Sequence, residues 1–257
     1  MKMAVSGKGG VGKTTVAAFF IKALAEDGFR VLAIDADPDA NLAHALGLGS
    51  NISITPISQM KELIEERTET KLGGFGGFFK LNPKVDDLPD SLGLKVMENV
   101  RLLVMGGVKK GGSGCVCPES TLLKNLVMHI VLQRNEAVVM DMEAGLEHLG
   151  RGTAGAVDLL LVVVEPGKRS IDTAREIKRL AGDIGIRNLK VIGNKVRNPE
   201  EEAFLTQELK DFEVLGFIPY SNEIAKADLV SKAPFVLDEN GLTIIKDMLE
   251  QIRQTKK

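Results

Sequence analysis

A glycine-rich segment near the start of the chain carries the residues best suited to chemistry. Gly7-Lys-Gly-Gly-Val-Gly-Lys-Thr14 fits the spacing G-x-x-x-x-G-K-[ST] and lies between an apolar run and a helical pattern. Glycines allow a tight loop whose N–H groups face phosphate oxygens, Lys13 places its charge between the β- and γ-phosphates, and the Thr14 hydroxyl can ligate Mg²⁺. The segment therefore predicts a site for a nucleoside triphosphate with Mg²⁺. The predicted contacts are Gly7, Lys8, Gly9, Gly10, Val11, Gly12, Lys13, Thr14 and Thr15.

Carboxylates follow two of the apolar runs. Asp35-Ala-Asp-Pro-Asp-Ala-Asn41 places three carboxylates within five residues, and Asp141 ends a later run. Ligands of open α/β sheets bind beyond the carboxyl ends of the strands, so we expect Asp35 and Asp141 beside the phosphate loop. Asp35 is suited to Mg²⁺ or its water shell. Asp39 and Asn41 are candidates to orient a switch segment. For Asp39, a place in a turn or as the N-cap of the helix after Pro38 is the alternative, and the residues leave both open.

The segment Asn194-Lys-Val-Arg197 ends another strand and bears on the identity of the base. A guanine reader would carry Asp at the fourth position, to accept hydrogen bonds from guanine N1–H and N2–H₂. Arg197 has only donors, so adenine is favoured, and ATP and ADP are the predicted nucleotides.

The two cysteines of the chain, Cys115 and Cys117, are separated by a single residue in the segment Gly111-Gly-Ser-Gly-Cys-Val-Cys-Pro-Glu119. Two thiolates so placed could face one metal ion, and a closed soft-metal site wants about four ligands. Two chains related by a twofold axis would supply a shared site with four sulfur ligands. A strained local disulfide and two incidental thiols stay open as alternatives.

The three histidines are further potential metal ligands: His44, His129 and His148. His129 lies in an apolar helical stretch, so we expect it to be part of the core. His148 is a candidate for a contact within a switch segment.

Short apolar runs alternate with segments of helical period, which is typical of crossover units that build a mostly parallel sheet. We predict an α/β fold with a doubly wound sheet flanked by helices, and a single domain over residues 1–257. The predicted strands lie near Lys2–Ser6, Arg30–Asp35, Val100–Met105, Ala137–Asp141, Leu159–Glu165, Lys190–Asn194 and Glu213–Ile218.

Two segments outside this alternation need an interpretation. Between Thr68 and Leu94, turn-forming residues predict a long surface excursion, which is either an irregular insertion packed by Phe78 and Phe79 or a moving or partner-facing loop. From Leu242 to Gln254, an apolar stripe of ordinary width predicts a closing helix packed on the core rather than a membrane-surface anchor.

Composition limits the partners and the setting. The net charge of -2 and the lack of a long basic block argue against nucleic acid as a partner. The most apolar run, Asp158 to Glu165, is far shorter than the roughly 20 residues of a bilayer helix, so we expect no membrane span. The start of the chain leaves no room for an export leader, and two cysteines make no disulfide framework. These features favour the cytoplasm.

The residues Lys8–Thr15 resemble the deviant Walker A segment of the MinD/ParA/nitrogenase-iron-protein class, and the resemblance covers essentially the whole chain. It implies that Lys8 reaches the nucleotide of a partner subunit and acts catalytically with Lys13 and Asp37, where Asp37 positions water. A solvated loop lysine is the alternative for Lys8.

The same resemblance assigns the remaining nucleotide contacts. Asp141 would hold Mg²⁺ through water, and the Gly145 N–H would approach the γ-phosphate at the start of a second switch. Asn194 would contact the base and Lys195 another part of the nucleotide, with Pro219 and Tyr220 near the adenine edge. A purely structural role for Tyr220 is equally compatible with the residues.

The segments Gly111–Cys117 and Asp141–Thr153 look like those of the CooC-type accessory ATPases of carbon monoxide dehydrogenase. This resemblance implies an ATP-dependent homodimer that binds Ni²⁺ (or Zn²⁺) and serves a nickel enzyme such as carbon monoxide dehydrogenase. Two alternatives stay open: a MinD/ParA-like positioning ATPase, and an iron–sulfur electron carrier whose thiolates bridge a cluster.

Overall fold

The computed structural model describes residues 1–49, 52–71, 78–106, 118–130, 134–143 and 157–254. Four residues singled out in the sequence lie outside these ranges: Cys115, Cys117, Gly145 and His148.

One mixed sheet of eight strands forms the centre of the molecule, in the order β3-β4-β2-β5-β1-β6-β7-β8. All neighbouring pairs are parallel except β3 and β4. The doubly wound fold and the seven predicted strands are confirmed. The strands are β1 Lys2–Gly7, β2 Arg30–Ala36, β3 Leu94–Met97, β4 Val100–Val104, β5 Glu136–Met142, β6 Leu159–Val164, β7 Leu189–Val196 and β8 Glu213–Pro219.

Helices connect these strands on both sides of the sheet. The longest are α1, which follows the phosphate loop, α6, which follows β6, and α10, which closes the fold. The helices are α1 Lys13–Glu26, α2 Leu42–Ala45, α3 Lys61–Thr68, α4 Leu88–Leu92, α5 Pro118–His129, α6 Lys168–Ile184, α7 Pro199–Glu208, α8 Asn222–Leu229, α9 Pro234–Leu237 and α10 Glu239–Gln254, with a 3-10 turn at Ile57–Gln59.

The sheet is covered on both faces, which is why its central strands are continuously apolar. Successive residues of β6 point to opposite sides, so Val162 belongs to one apolar cluster and Val163 to the other. Helix α6 contributes Ile177 to the first cluster, and α10 contributes Leu249 to the second.

The predicted closing helix is confirmed as part of the core. Helix α10 buries Ile245, Leu249 and Ile252 and packs against α1. Among the helices of the described ranges, none has both the length and the apolar composition that a bilayer crossing needs.

The part of the excursion from Phe78 to Leu94 is more ordered than its turn-forming residues suggested. It contains α4, and the chain then continues into the antiparallel edge strand β3. Arg67 makes paired hydrogen bonds of 2.8 and 2.7 Å to the Asp87 carboxylate, which ties α3 to the start of α4. One of the two alternatives gave Phe78 and Phe79 a packing role. For Phe78 this is wrong, because its side chain is 97% exposed, whereas Phe79 is partly buried and Val85 and Leu88 are buried.

The expectation that His129 belongs to the core is also wrong. His129 is the last residue of α5 and is exposed, whereas Leu126, Val127 and Ile130 are buried. The apolar run around it is wider than the buried face, so position 129 falls on the solvent side of the final turn.

Candidate functional site

The phosphate loop joins the carboxyl end of β1 to the N-terminus of α1 and needs glycine at two points. Gly12 has φ +93°, and a Cβ there would lie 2.4 Å from Asn194 Nδ2. A Cβ on Gly7 would lie 2.3 Å from the Val163 carbonyl oxygen. At Gly9 and Gly10 a Cβ would meet no atom within 4 Å. The loop is therefore closely packed at both ends, against the backbone of Val163 and the side chain of Asn194, and open at its centre, where phosphates would bind.

Lys13 begins α1 and is only 8% exposed. Its Nζ lies 3.5 Å from the Lys8 carbonyl oxygen, so the side chain folds back over the loop. Together with the free N–H groups at the start of α1, this ammonium gives the loop a positive interior. Such an interior attracts phosphate.

Asp35 and Asp141 are partners in register on the neighbouring parallel strands β2 and β5, and both are fully buried. Neither oxygen of the Asp141 carboxylate has a hydrogen-bond partner among the described residues. Burial raises the pKa of Asp141 to about 7, and the nearby Thr14 hydroxyl and Lys13 ammonium offset this only in part. A buried carboxylate without a partner, beside Thr14 and Asp35, is a donor set that fits a hard cation such as Mg²⁺.

Asp35 also makes structural hydrogen bonds that its position in the sequence does not predict. Its carboxylate accepts hydrogen bonds from the backbone N–H groups of Leu42 (2.8 Å) and Asp37 (3.2 Å), and so it holds the segment that follows β2. Burial raises the pKa of Asp35 to about 6, against the lowering effect of these two bonds. The turn alternative for Asp39 agrees with the structure, in which this residue lies in a turn closed by a 3.1 Å hydrogen bond from the Ala40 N–H to the Asp37 carbonyl oxygen. The helix-capping alternative is wrong, because Asp35 accepts a hydrogen bond from the first N–H of α2 and no side chain caps that helix from its N-cap position.

A cavity of about 580 Å³ lies over the phosphate loop. Asp37 and Asp39 line it, together with Gly9, Gly10, Gly12, Lys13, Thr14, Thr15 and Lys195. Asn41, a candidate switch residue, and His44, a candidate metal ligand, also line this cavity. Five further residues of the cavity were not predicted from the sequence: Ala45, Ile224, Ala227, Lys232 and Pro234. They lie in or beside short helices whose position depends on tertiary packing, and no local motif marks them.

The structure does not bear out the expected contact of Asn194 with the base, because Asn194 lies buried under the phosphate loop and does not line the cavity. Its Nδ2 donates a 2.7 Å hydrogen bond to the Val11 carbonyl oxygen, and the side chain is 5% exposed. The side chain thus braces the loop from β7, directly against the position where Gly12 lacks a Cβ.

Lys195 follows on the same strand and reaches over the loop, where its Nζ donates to the Gly10 carbonyl oxygen. Pro219 and Tyr220 lie at the end of β8, are exposed and do not line the cavity. The Tyr220 ring packs under the Arg197 guanidinium, with 4.7 Å from Cζ to the ring centroid. This contact favours the structural alternative for Tyr220.

A second cavity, of about 320 Å³, lies at the amino ends of β2 and β5. The phosphate loop lies at the opposite edge of the sheet, beyond the carboxyl ends of the strands. Arg30 and Glu136 form a 2.7 Å ion pair at the wall of the second cavity. It contains none of the predicted nucleotide or magnesium residues. Within the described ranges, no group of three or more His, Cys, Asp or Glu side chains comes together as a metal site.

The loop, the buried carboxylates at its side and the doubly wound sheet define the chain as a P-loop nucleotide-binding protein. More narrowly, the chain belongs to the family described as the CobQ/CobB/MinD/ParA nucleotide binding domain, whose family model matches residues 2–235.

Individual relatives agree with this assignment. The chain is 48% identical to the carbon monoxide dehydrogenase accessory protein CooC of Rhodospirillum rubrum, over 89% of this chain and 87% of that protein. It is 47% identical to an uncharacterized ATP-binding protein of Methanocaldococcus jannaschii, over 100% of this chain and 99% of that protein.

Solved structures support the fold. The MinC:MinD cell division protein complex of Aquifex aeolicus matches with a TM-score of 0.67 and 23% identity, over 98% of this chain and 95% of that chain. A ParA family ATPase of Chlorobium tepidum matches with a TM-score of 0.69 and 17% identity, over 96% of this chain and 97% of that chain.

Proposed function

We propose that the chain is an ATP-hydrolysing accessory protein that helps to insert nickel into a carbon monoxide dehydrogenase or a related nickel enzyme in the cytoplasm. The observation that carries this proposal is the 48% identity to CooC over most of both chains. The sequence adds two closely spaced cysteines, which a nucleotide site alone does not require.

The proposed hydrolysis uses a small set of residues at the phosphate loop. Lys13 binds the β- and γ-phosphates, Asp37 positions the attacking water, and Lys8 neutralises charge on the nucleotide of a partner subunit. Thr14, Asp35 and Asp141 hold Mg²⁺, directly or through water, which removes the cost of burying Asp141 without a partner. The Gly145 N–H meets the γ-phosphate, so that hydrolysis changes the second switch.

The adenine end of the nucleotide is proposed to extend along β7 toward α8. Lys195 and Ile224 line the cavity on this side, and Asn194 supports the loop beneath it. Pro219 and Tyr220 would border the adenine edge, at a greater distance than the residues of the cavity wall.

The metal cargo is proposed to bind between two subunits through Cys115 and Cys117 of each chain. Four thiolates can hold Ni²⁺ or Zn²⁺, and their affinity does not select between the two ions. ATP-driven association would tighten this site, and by reciprocity the metal would stabilise the ATP-bound dimer. Hydrolysis would then release the ion to the client enzyme.

Metal stoichiometry with and without ATP tests this proposal. We expect wild-type protein to bind about one Ni²⁺ or Zn²⁺ per two chains, more tightly with ATP, and Cys115→Ala/Cys117→Ala to lose that binding. His129→Ala, at an exposed histidine far from the phosphate loop, is the matched control and should bind metal as the wild type does. Unchanged binding by the double cysteine variant would exclude the thiol site, and a brown, oxygen-sensitive protein would point to an iron–sulfur carrier.

A further inference from the structure

Glu165 lies at the carboxyl end of β6 and faces two lysines of the phosphate-loop region. Its Oε1 is 3.9 Å from Lys8 Nζ, and its Oε2 is 3.5 Å from Lys195 Nζ. Lys195 Nζ also donates to the Gly10 carbonyl oxygen. The carboxylate therefore links both lysines to the tip of the loop, and among the described residues it is the carboxylate that pairs with Lys8.

Backbone features fix the positions of Glu165 and Lys195, the two residues that surround the Lys8 side chain. The Glu165 N–H donates a 3.0 Å hydrogen bond to the buried Ser170 hydroxyl at the start of α6, which fixes the end of β6. Lys195 has φ +60°, and the pairing of β7 with β8 is irregular between Gly193 and Val196. A left-handed conformation in a lysine is uncommon and costs free energy, and here it directs the side chain to the loop.

We propose that Glu165 is a positioning residue that holds Lys8 on its own subunit until the nucleotide of a partner subunit competes for it. This inference rests on the proposed role of Lys8 across the dimer. Lys8 cannot remain beside Glu165 and also reach a partner's phosphates, so association must break this ion pair. The magnesium complex of ATP carries about two net negative charges, whereas that of ADP and a single carboxylate carry about one each, so the exchange favours the dimer when ATP rather than ADP is bound.

The strength of the Lys8–Glu165 pair limits the size of the effect. Both side chains are partly exposed, at 37% and 31%, and exposed pairs contribute little. Removing the charge of Glu165 should therefore lower the protein concentration at which half of the chains are associated by about two- to fivefold. A change of this size would shift the protein concentration at which hydrolysis begins. Glu165 itself would take no part in the chemical step.

The test compares Glu165→Gln with wild type by sedimentation in Mg²⁺ and the non-hydrolysable ATP analogue AMPPNP, and by the protein concentration for half-maximal ATP hydrolysis. Both concentrations should fall about two- to fivefold. Glu176→Gln, which removes an exposed carboxylate paired with Arg179 on α6, is the matched control and should change neither. The same Glu165 substitution in a Lys8→Ala background should leave the sedimentation midpoint where Lys8→Ala alone has it.

Two outcomes would overturn the inference. Equal midpoints for Glu165→Gln and wild type would show that the carboxylate does not hold Lys8. An equal shift with and without Lys8 would show that Glu165 acts through another contact. If Lys8→Ala itself hydrolyses ATP normally, the proposed function of Lys8 fails first, and the role of Glu165 fails with it.

Discussion

Asp141 is the residue whose surroundings say most about the site. A fully buried carboxylate with no hydrogen-bond partner among the described residues is costly, and the protein limits this cost by raising the pKa to about 7. A divalent cation would remove the same cost by binding the ionised form. The nucleotide-free protein should therefore carry a site that is destabilising at alkaline pH and is stabilised by its ligand.

The pH dependence of stability follows from the direction of this shift. Because the pKa of folded Asp141 lies near 7 and its ordinary value is 3.8, the native state retains a proton that the unfolded chain has released. The free energy of unfolding should fall as pH rises between about 4 and 7. Asp141→Asn removes this loss, so without Mg²⁺ and nucleotide it should be more stable than wild type at pH 8 by roughly 2–4 kcal/mol, with a smaller difference at pH 5.

Urea unfolding of both proteins at the two pH values measures this difference. Titration of groups distant from Asp141 is common to both proteins and cancels in the comparison. The neighbouring Asp35 does not cancel, but Asp141→Asn removes a negative charge beside it, so its contribution also favours the variant at the higher pH. A stability difference that does not grow between pH 5 and pH 8 would contradict the assignment of Asp141 as a carboxylate kept neutral by burial.

At the scale of single residues, the sequence predicted that Asp35 and Asp141 lie close together, but it did not predict all of their contacts. Asp35 and Asp141 were expected at one sheet edge because each ends a parallel strand, and their shared register fulfils this. The bond from Asp35 to the Leu42 N–H was not predicted, since it depends on how the chain returns after β2. The same limit applies to His44 and Lys232, which reach the cavity only through the placement of short helices.

At the scale of elements, the phosphate loop depends on a strand far away in the chain. Asn194 of β7 braces it through the Val11 carbonyl oxygen, and the missing Cβ of Gly12 leaves room for that side chain. A loop held in this way is organised for phosphate before the nucleotide arrives, which reduces the entropy lost on binding.

Asn194→Ala tests whether this brace matters for phosphate binding itself. The change leaves the buried Val11 carbonyl without its partner, so it should cost about 1–3 kcal/mol of stability and weaken binding of both ATP and inorganic tripolyphosphate. The expected loss of affinity is about three- to tenfold for each ligand. Calorimetric titration of the two ligands measures it, and a loss confined to ATP would mean that Asn194 acts on the base instead.

Asn125→Ala is the matched control for this experiment. Asn125 is a buried amide on α5 that donates to the Leu81 and Thr121 carbonyl oxygens, away from the nucleotide cavity. Its removal should destabilise the fold to a similar extent and leave the affinity for both ligands unchanged.

Among the elements, long apolar strands were predictable and marginal ones were not. Strand β6 reads as a continuous run of branched residues because both of its faces are covered. Strand β3 was missed because it has four residues, is only partly buried and pairs at the sheet edge, where composition carries little signal. His129 was misplaced for a related reason, since an apolar neighbourhood in sequence does not fix which side of a helical turn is buried.

At the scale of the whole molecule, the proposed function requires two subunits that are joined through a nucleotide and a metal. The described part of one chain contains the phosphate loop, the buried carboxylates that we propose for Mg²⁺, and Lys8, whose Nζ lies 3.9 Å from Glu165 Oε1. A catalytic cation that becomes available only on association makes hydrolysis conditional on the dimer. This condition is the central claim, because it links ATP to the proposed metal site between the chains.

The most direct test is the ATP hydrolysis rate per chain, measured across a range of protein concentrations in saturating Mg²⁺ and ATP. We expect the rate per chain of the wild type to rise with concentration to a plateau, in parallel with association, and Lys8→Ala to bind ATP yet stay near zero throughout. A rate per chain that is the same at every concentration, or normal turnover by Lys8→Ala, would contradict the account.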